Sequence, residues 1–283
     1  MTAEAFPDWR YAPNITGHPA VYETENRALD QAGHVLDALW ALAPWTGKTV
    51  VDLGCGTGYW LGRYAEQAHR VIGIEPAAGL RAQAERAAAE LAGPGRPGRP
   101  EGARRTLGAP QTPMALSPPR LRPEVEVRAG SAEHTGLPDA CADVVHARFA
   151  YFFPPGTDAG LTEALRVLRP GGQLIAVDND YRWGEFSRLL AAGMTRPPGQ
   201  VAAEVDDWWR ARGATRHPVR SELSFASPAD LAAVLHIELP APVARSWLAR
   251  NPLATGLTYG YVLFRVTRPL LRLEYRVSHL EVD

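Results

Sequence analysis

Asp52-Leu53-Gly54-Cys55-Gly56-Thr57-Gly58 sets a carboxylate two residues ahead of three alternating glycines, and a second carboxylate, Glu75, follows 23 residues after the first (75 − 52). Glycines at this spacing let the backbone turn sharply and let a ligand come close to main-chain atoms. A dinucleotide site asks for G-x-G-x-x-G, whose third glycine packs the helix beside a pyrophosphate. Counting from Gly54, that place is held by Tyr59. An acid beside the loop suits a cationic ligand better than a pyrophosphate. A carboxylate at the position of Glu75 can accept from both hydroxyls of a ribose.

These groups need a strand–loop–helix frame, and the sequence supplies one. Residues 48–53 read as a short buried strand running into the glycines, and a helix is expected from about Trp60 to Ala68. A second strand, 70–74, ends at Glu75-Pro76, and the alanine-rich stretch 77–92 is a helix by propensity. Further strands are expected at 125–129, 143–147 and 173–177, with a helix through Leu161, Ala164, Leu165 and Leu168 before the last. Alternation of this kind predicts an α/β fold: a Rossmann-like, mostly parallel sheet with helices on both faces. In the tail, strands near 219–225 and 259–266 lie among helices at 201–212, 228–235 and 242–250, which suits an antiparallel pair at one sheet edge. Ala28, Leu29, Ala32, Val35, Leu36, Leu39 and Trp40 share one face of an expected helix ahead of the first strand. Two units are expected: a lid segment with that first helix over 1–47, and the core over 48–283. The core is interrupted at about 93–123 by a Pro/Gly/Arg-rich insertion without periodicity, either a chemically inert loop or an arginine-bearing flap.

VVDLGCGTG, VIGIEP, AGSAEHTGLPD, DVVHARF and LRPGG, in that order, resemble the successive motifs of class I S-adenosylmethionine-dependent methyltransferases. The resemblance spans roughly 48–180, without the insertion. It implies S-adenosylmethionine as cofactor and S-adenosylhomocysteine as product. The cofactor's ammonium and sulfonium match the acid noted above. The resemblance further implies that Asp52, Gly54, Gly56 and Gly58 face the methionine part, that Glu75 and Pro76 flank the ribose, and that Ser131, Ala132 and Glu133 edge the adenine. Many members carry an aspartate where this chain has Ser131, whose hydroxyl accepts without charge assistance. LRPGG is read as a turn that marks the fold, and Asp143 as structural.

In open α/β sheets ligands sit beyond the carboxyl ends of the strands. That rule nominates Arg148, Tyr151, Asp178 and Asn179 for the methyl acceptor, together with Tyr11 from an aromatic-rich N-terminal loop. A neutral hydroxyl acceptor needs a base. His18 is the first candidate and Tyr22 its orienter, set against the plainer reading of His18 as a surface histidine. His146, inside a strand, is read as buried structure, and Trp208, Trp209 and Trp247 as packing residues.

The formal net charge of −1 across 283 residues speaks against nucleic acid and anionic membrane as partners. The lack of an N/D-P-P-Y/F motif also speaks against an RNA or DNA methyltransferase; Phe153-Pro154-Pro155 has neither its polar first residue nor its last aromatic. Two distant cysteines, one inside the glycine loop, argue against a disulfide and a metal site. The N-terminus lacks the basic start and apolar core of a signal peptide, so a cytoplasmic protein is expected. The sequence reading is therefore a methyltransferase for a small-molecule acceptor, of the kind met in secondary metabolism. A fold that binds the same cofactor without methyl transfer is the alternative, and the oligomeric state is left open.

Overall fold

The computed structural model describes residues 17–92, 123–154 and 156–270. Tyr11 and nearly all of the expected 93–123 insertion lie outside them. Seven strands form one sheet in the order β3-β2-β1-β4-β5-β7-β6. They are β1 (Thr49–Leu53), β2 (Arg70–Ile74), β3 (Glu124–Arg128), β4 (Ala142–Arg148), β5 (Leu168–Gly184), β6 (Thr215–Ser224) and β7 (Gly256–Thr267). The first five pair in parallel, and β7 runs antiparallel to both β5 and β6. The expected fold class, with its antiparallel edge, is what the chain adopts.

Alternation along the strands divides the core between the two faces. Val50 and Val144 face a layer holding Leu39, Trp45, Tyr64 and Leu231, whereas Val51, Leu53 and Val145 face Leu161, Ala164 and Trp209. β1 is buried at every residue, as a central parallel strand with helices on both sides must be.

Near the N-terminus the structure corrects the expected single helix. It forms α1 (Pro19–Ala28) and α2 (His34–Leu42), so Tyr22 lies in a helix and not in a loop. Between them Asp30 and Gly33 take left-handed backbone angles, φ +51° and +83°. The buried Asp30 carboxylate then serves α2: Oδ2 accepts from the backbone N–H of Val35 at 2.9 Å and of Leu36 at 3.3 Å, and Oδ1 accepts from the Ser221 hydroxyl at 2.6 Å. An apolar stripe carried across a capped break still reads as one helix in sequence, because both pieces bury the same side.

The helix after the glycine loop, α3, is only Leu61–Ala65. α4 (Ala78–Ala92) and α5 (Asp158–Val167) complete the alternating half. In the tail come α6 (Glu185–Ala192), α7 (Pro198–Arg210), α8 (Pro228–Glu238) and α9 (Ala241–Arg250). The LRPGG turn is a bulge within β5: Ala142 pairs with Leu168 and Val144 with Gln173, so the residues between loop out. Asp143 has the structural part expected of it, accepting from Thr49 N–H and from Arg169, at 2.9 and 2.7 Å. No helix among the described residues is long and apolar enough to cross a membrane.

Candidate active site

The glycine loop is tied down at its start, where the N–H groups of Gly54 and Cys55 both donate to the Ile74 carbonyl at the end of β2. Gly56 and Gly58 adopt φ +58° and +82°, which L side chains avoid. A Cβ on Gly58 would come within 2.9 Å of the Ala84 backbone in α4, so this glycine allows the close helix approach that a dinucleotide loop assigns to the next position. Cys55 turns inward, where its Sγ would stand 2.8 Å from a Cβ on Gly73. Burial pushes its thiol pKa well up.

Asp52 and Glu75 are 1% and 5% exposed. Glu75 is held by backbone: Oε2 accepts from Gly56 N–H and Oε1 from Ala77 N–H, each at 2.9 Å. Each oxygen keeps a second lone pair, so the group can still accept from a ligand diol. Burial raises its pKa, and the two backbone bonds oppose that rise. Asp52 is placed differently. Its Oδ2 is shut from water with no hydrogen-bond partner, and burial pushes the carboxyl up to about 6, against the pull of Arg148.

Tyr22 of α1 reaches this loop. The Tyr22 hydroxyl would lie 3.4 Å from a Cβ on Gly56. Burial first, against the pull of Arg148, holds its pKa near 12, so it stays a neutral donor. His18, by contrast, is exposed at the N-cap of α1 and makes no side-chain cap bond. The structure thus joins Tyr22 to the glycine loop and the two acids, and gives no hydrogen bond between Tyr22 and the His18 ring.

Of the adenine-edge residues, Ser131 and Ala132 are buried, and Ser131 closes a turn by accepting from His134 N–H at 3.2 Å. Glu133 accepts at 2.6 Å from the hydroxyl of Tyr151, which itself accepts from Gly160 N–H. Tyr151 is therefore a strut between the 131–134 turn and α5, which redirects the expectation that it meets the acceptor. Pro76 offers only its carbonyl, to Arg81 at 3.0 Å.

Beyond β4, Phe149 and Tyr151 both take positive φ, +48° and +59°, strained values for bulky residues. Arg148 lays its guanidinium 4.1 Å over the Trp60 ring. Asp178 accepts from Asn179 N–H at 2.7 Å, and burial pushes its carboxyl up to about 6. The Asn179 amide oxygen accepts from the Tyr259 hydroxyl. His146 is wholly buried beside Trp45 and Tyr64, and burial lowers its pKa to about 3; it is a neutral packing ring, as its place in the strand predicted. Trp209 and Trp247 pack as expected.

Trp60 and Tyr261 escaped the sequence reading. Trp60 passes for an ordinary helix start, and Tyr261 for one apolar residue in a strand. Only the pairing of Asn179 with Tyr261 across β5 and β7 brings the latter to the strand ends.

A profile of the methyltransferase-domain family matches residues 22–235, and the chain belongs to that family. Among solved structures it is similar to the YcgJ protein of Bacillus subtilis, at 15% identity and a TM-score of 0.53, covering 83% of this chain and 98% of that one. It is also similar to an S-adenosylmethionine-dependent methyltransferase from Aquifex aeolicus, at 14% identity and a TM-score of 0.50, covering 90% and 98%. The [4+2]-cyclase SpnF is similar at 18% identity and a TM-score of 0.50, covering 85% and 82%. At such identities the likeness is one of fold. A comparison with curated proteins finds no match.

Proposed function

We propose that this chain uses S-adenosylmethionine to methylate a small-molecule acceptor bound beyond the ends of β4 and β5. One observation carries the reading: two buried carboxylates from adjacent strands converge on one glycine loop beneath a neutral tyrosine hydroxyl. The orphaned Asp52 Oδ2 fits a cationic amine, and the free lone pairs of Glu75 fit a ribose diol. When bound, the cofactor supplies an electrophilic methyl on a sulfonium.

The chain's own residues then do three things. Asp52 and Glu75 hold the two ends of the cofactor's polar part, Tyr22 excludes water above the loop, and the turn after β4 aligns the acceptor. Alignment and exclusion of water can supply much of the acceleration of a displacement at carbon. Where the acceptor must lose a proton, Asp178 is the better-placed base, since a carboxyl near 6 is matched to neutral pH and the exposed His18 is not drawn into the site.

Calorimetry with S-adenosylmethionine and S-adenosylhomocysteine tests the reading. One-to-one heats are expected with both, and absence of heat with both rejects it. The competing reading is a fold that binds the cofactor without methyl transfer, and the likeness of fold to a [4+2]-cyclase keeps it in view. Tritium from a labelled methyl group appearing in product separates the two.

A further inference from the structure

Asp178 stands where β5 passes the end of β4, next after the pairing of Val177 with Arg148, and its two oxygens are treated unequally. Oδ1 accepts from the backbone N–H of Asn179 at 2.7 Å and, at a longer 3.4 Å, from the Asn179 side-chain amide. Oδ2 has no hydrogen bond among the described residues. Although Asp178 is only 9% exposed, this oxygen is not one of the atoms shut from water. The carboxyl thus shows a single open oxygen.

The Asn179 amide is held from behind, where its oxygen accepts from the Tyr259 hydroxyl of β7. Chemistry fixes the direction of this chain. An amide NH₂ beside a carboxylate has to donate to it, which leaves the amide oxygen for the other neighbour, so Tyr259 is the donor. Tyr259 has little freedom to do otherwise. It is buried, and its ring lies among Phe149, stacked at 6.3 Å, Phe186, edge-on at 4.7 Å, and Tyr261 at 4.2 Å. Among the described residues no ion pair reaches Asp178. The ionisable groups that feel its charge are Tyr181 on its own strand and Tyr259 on β7, and burial first keeps both phenols protonated.

We propose that Tyr259 is a positioning residue for Asp178: it locks the Asn179 amide with its NH₂ toward Oδ1 and leaves Oδ2 as the one atom open to a proton from the methyl acceptor. The inference deepens the reading of Asp178 as the base and rests on it for the source of that proton. The acceptor's O–H or N–H bond breaks, the proton passes to Oδ2, and the electron pair stays on the acceptor as the nucleophile. Without the Tyr259 donor the amide is free to turn over and set its own oxygen against Oδ1, which opposes the ionised carboxyl.

The test follows the Asp178 carboxyl itself, by carbon NMR of the intact protein labelled at its aspartate carboxyls, the resonance being recognised by its loss in Asp178→Asn. Tyr259→Phe keeps the ring and removes one oxygen. It is expected to raise the Asp178 midpoint by about half a pH unit, the small end of what one hydrogen bond contributes. Asn179→Leu is expected to raise it at least as far, and Tyr259→Phe to add nothing in that background, since it acts only through the amide. A midpoint left in place or lowered by Tyr259→Phe, or a further rise when the two changes are combined, overturns the inference. Should near-ultraviolet circular dichroism show that Tyr259→Phe does not fold, Asn179→Leu decides alone, and a midpoint that it does not raise is equally fatal. The order of midpoints is expected to be the same with saturating S-adenosylhomocysteine. Protein that takes up none of that ligand, with the order intact, strikes the cofactor reading and leaves the Tyr259 assignment standing.

Discussion

The two halves of the strand-end crevice are finished to different degrees. At the ends of β1 and β2 the backbone does most of the work: Glu75 is fixed by two main-chain N–H groups, and the glycine loop is pinned to β2. At the ends of β4, β5 and β7 the polar groups belong to side chains, and Trp60 Nε1, Arg148 Nε and Tyr261 Oη lack partners, as Asp52 Oδ2 does on the other side. A site for a ligand shared by a whole family can be built from backbone, which any sequence possesses. A region built from side chains has to be specified position by position, and so can differ between members of one family.

That contrast can be broken first at Asp52. Asp52→Asn is expected to weaken S-adenosylmethionine by about 2–3 kcal/mol, as a charged hydrogen bond is lost, while melting temperature holds or rises because a buried unpaired charge disappears. A calorimetric affinity that does not move takes Asp52 out of the site. Glu75→Ala should cost about 1–3 kcal/mol of cofactor affinity and, unlike the first variant, should also lower thermal stability, since Gly56 and Ala77 lose their acceptor. Weakened binding with no change in melting temperature would deny its structural half.

Acid sharpens the comparison. With Asp52 titrating at about 6, affinity for a cationic cofactor should fall roughly tenfold per pH unit below that point and stay flat above it. An affinity constant from pH 7.5 down to 5 would contradict this. Stability has two opposed contributions. His146, lowered to about 3 from 6.5 by burial, takes fewer protons in the fold than in the unfolded chain, so stability present above 6.5 drains away as pH falls toward 3. Asp52, raised from 3.8, stabilises the fold below 3.8 and loses that contribution as pH rises through about 6. His146→Phe should therefore flatten the acid limb of a urea-midpoint profile; an unchanged limb would mean that the ring is already solvated. The smallest effect is expected at His18: His18→Ala should alter turnover by less than about threefold, the usual reach of a surface change. A loss of a hundredfold would restore it as the base.

The strand–loop–helix frame that brings Asp52, the glycines and Glu75 together was legible in the sequence because it is local. Asp52, the glycines and Glu75 all sit at strand ends, where a few consecutive residues dictate strand, turn and helix together. The parallel character of the sheet and its antiparallel edge followed from the order of elements for the same reason. The nearness of Trp60, Arg148 and Tyr261 was not legible, because they come from three distant stretches that only parallel and antiparallel pairing brings together. Tyr22 was singled out, but for the wrong neighbour, since the break at Asp30–Gly33 was hidden under an unbroken apolar stripe. Tyr151 was read by position alone, and position could not show that Glu133 had already engaged its hydroxyl.

The inward-turned Cys55 gives the crevice a built-in clock. With its sulfur sealed against Gly73 and its ionisation suppressed, an alkylating reagent can reach it only during excursions in which the strand-to-helix turn lifts from β2. In a Cys141→Ser background the labelling rate counts those excursions directly. Any occupant that clamps the turn lengthens the interval between them.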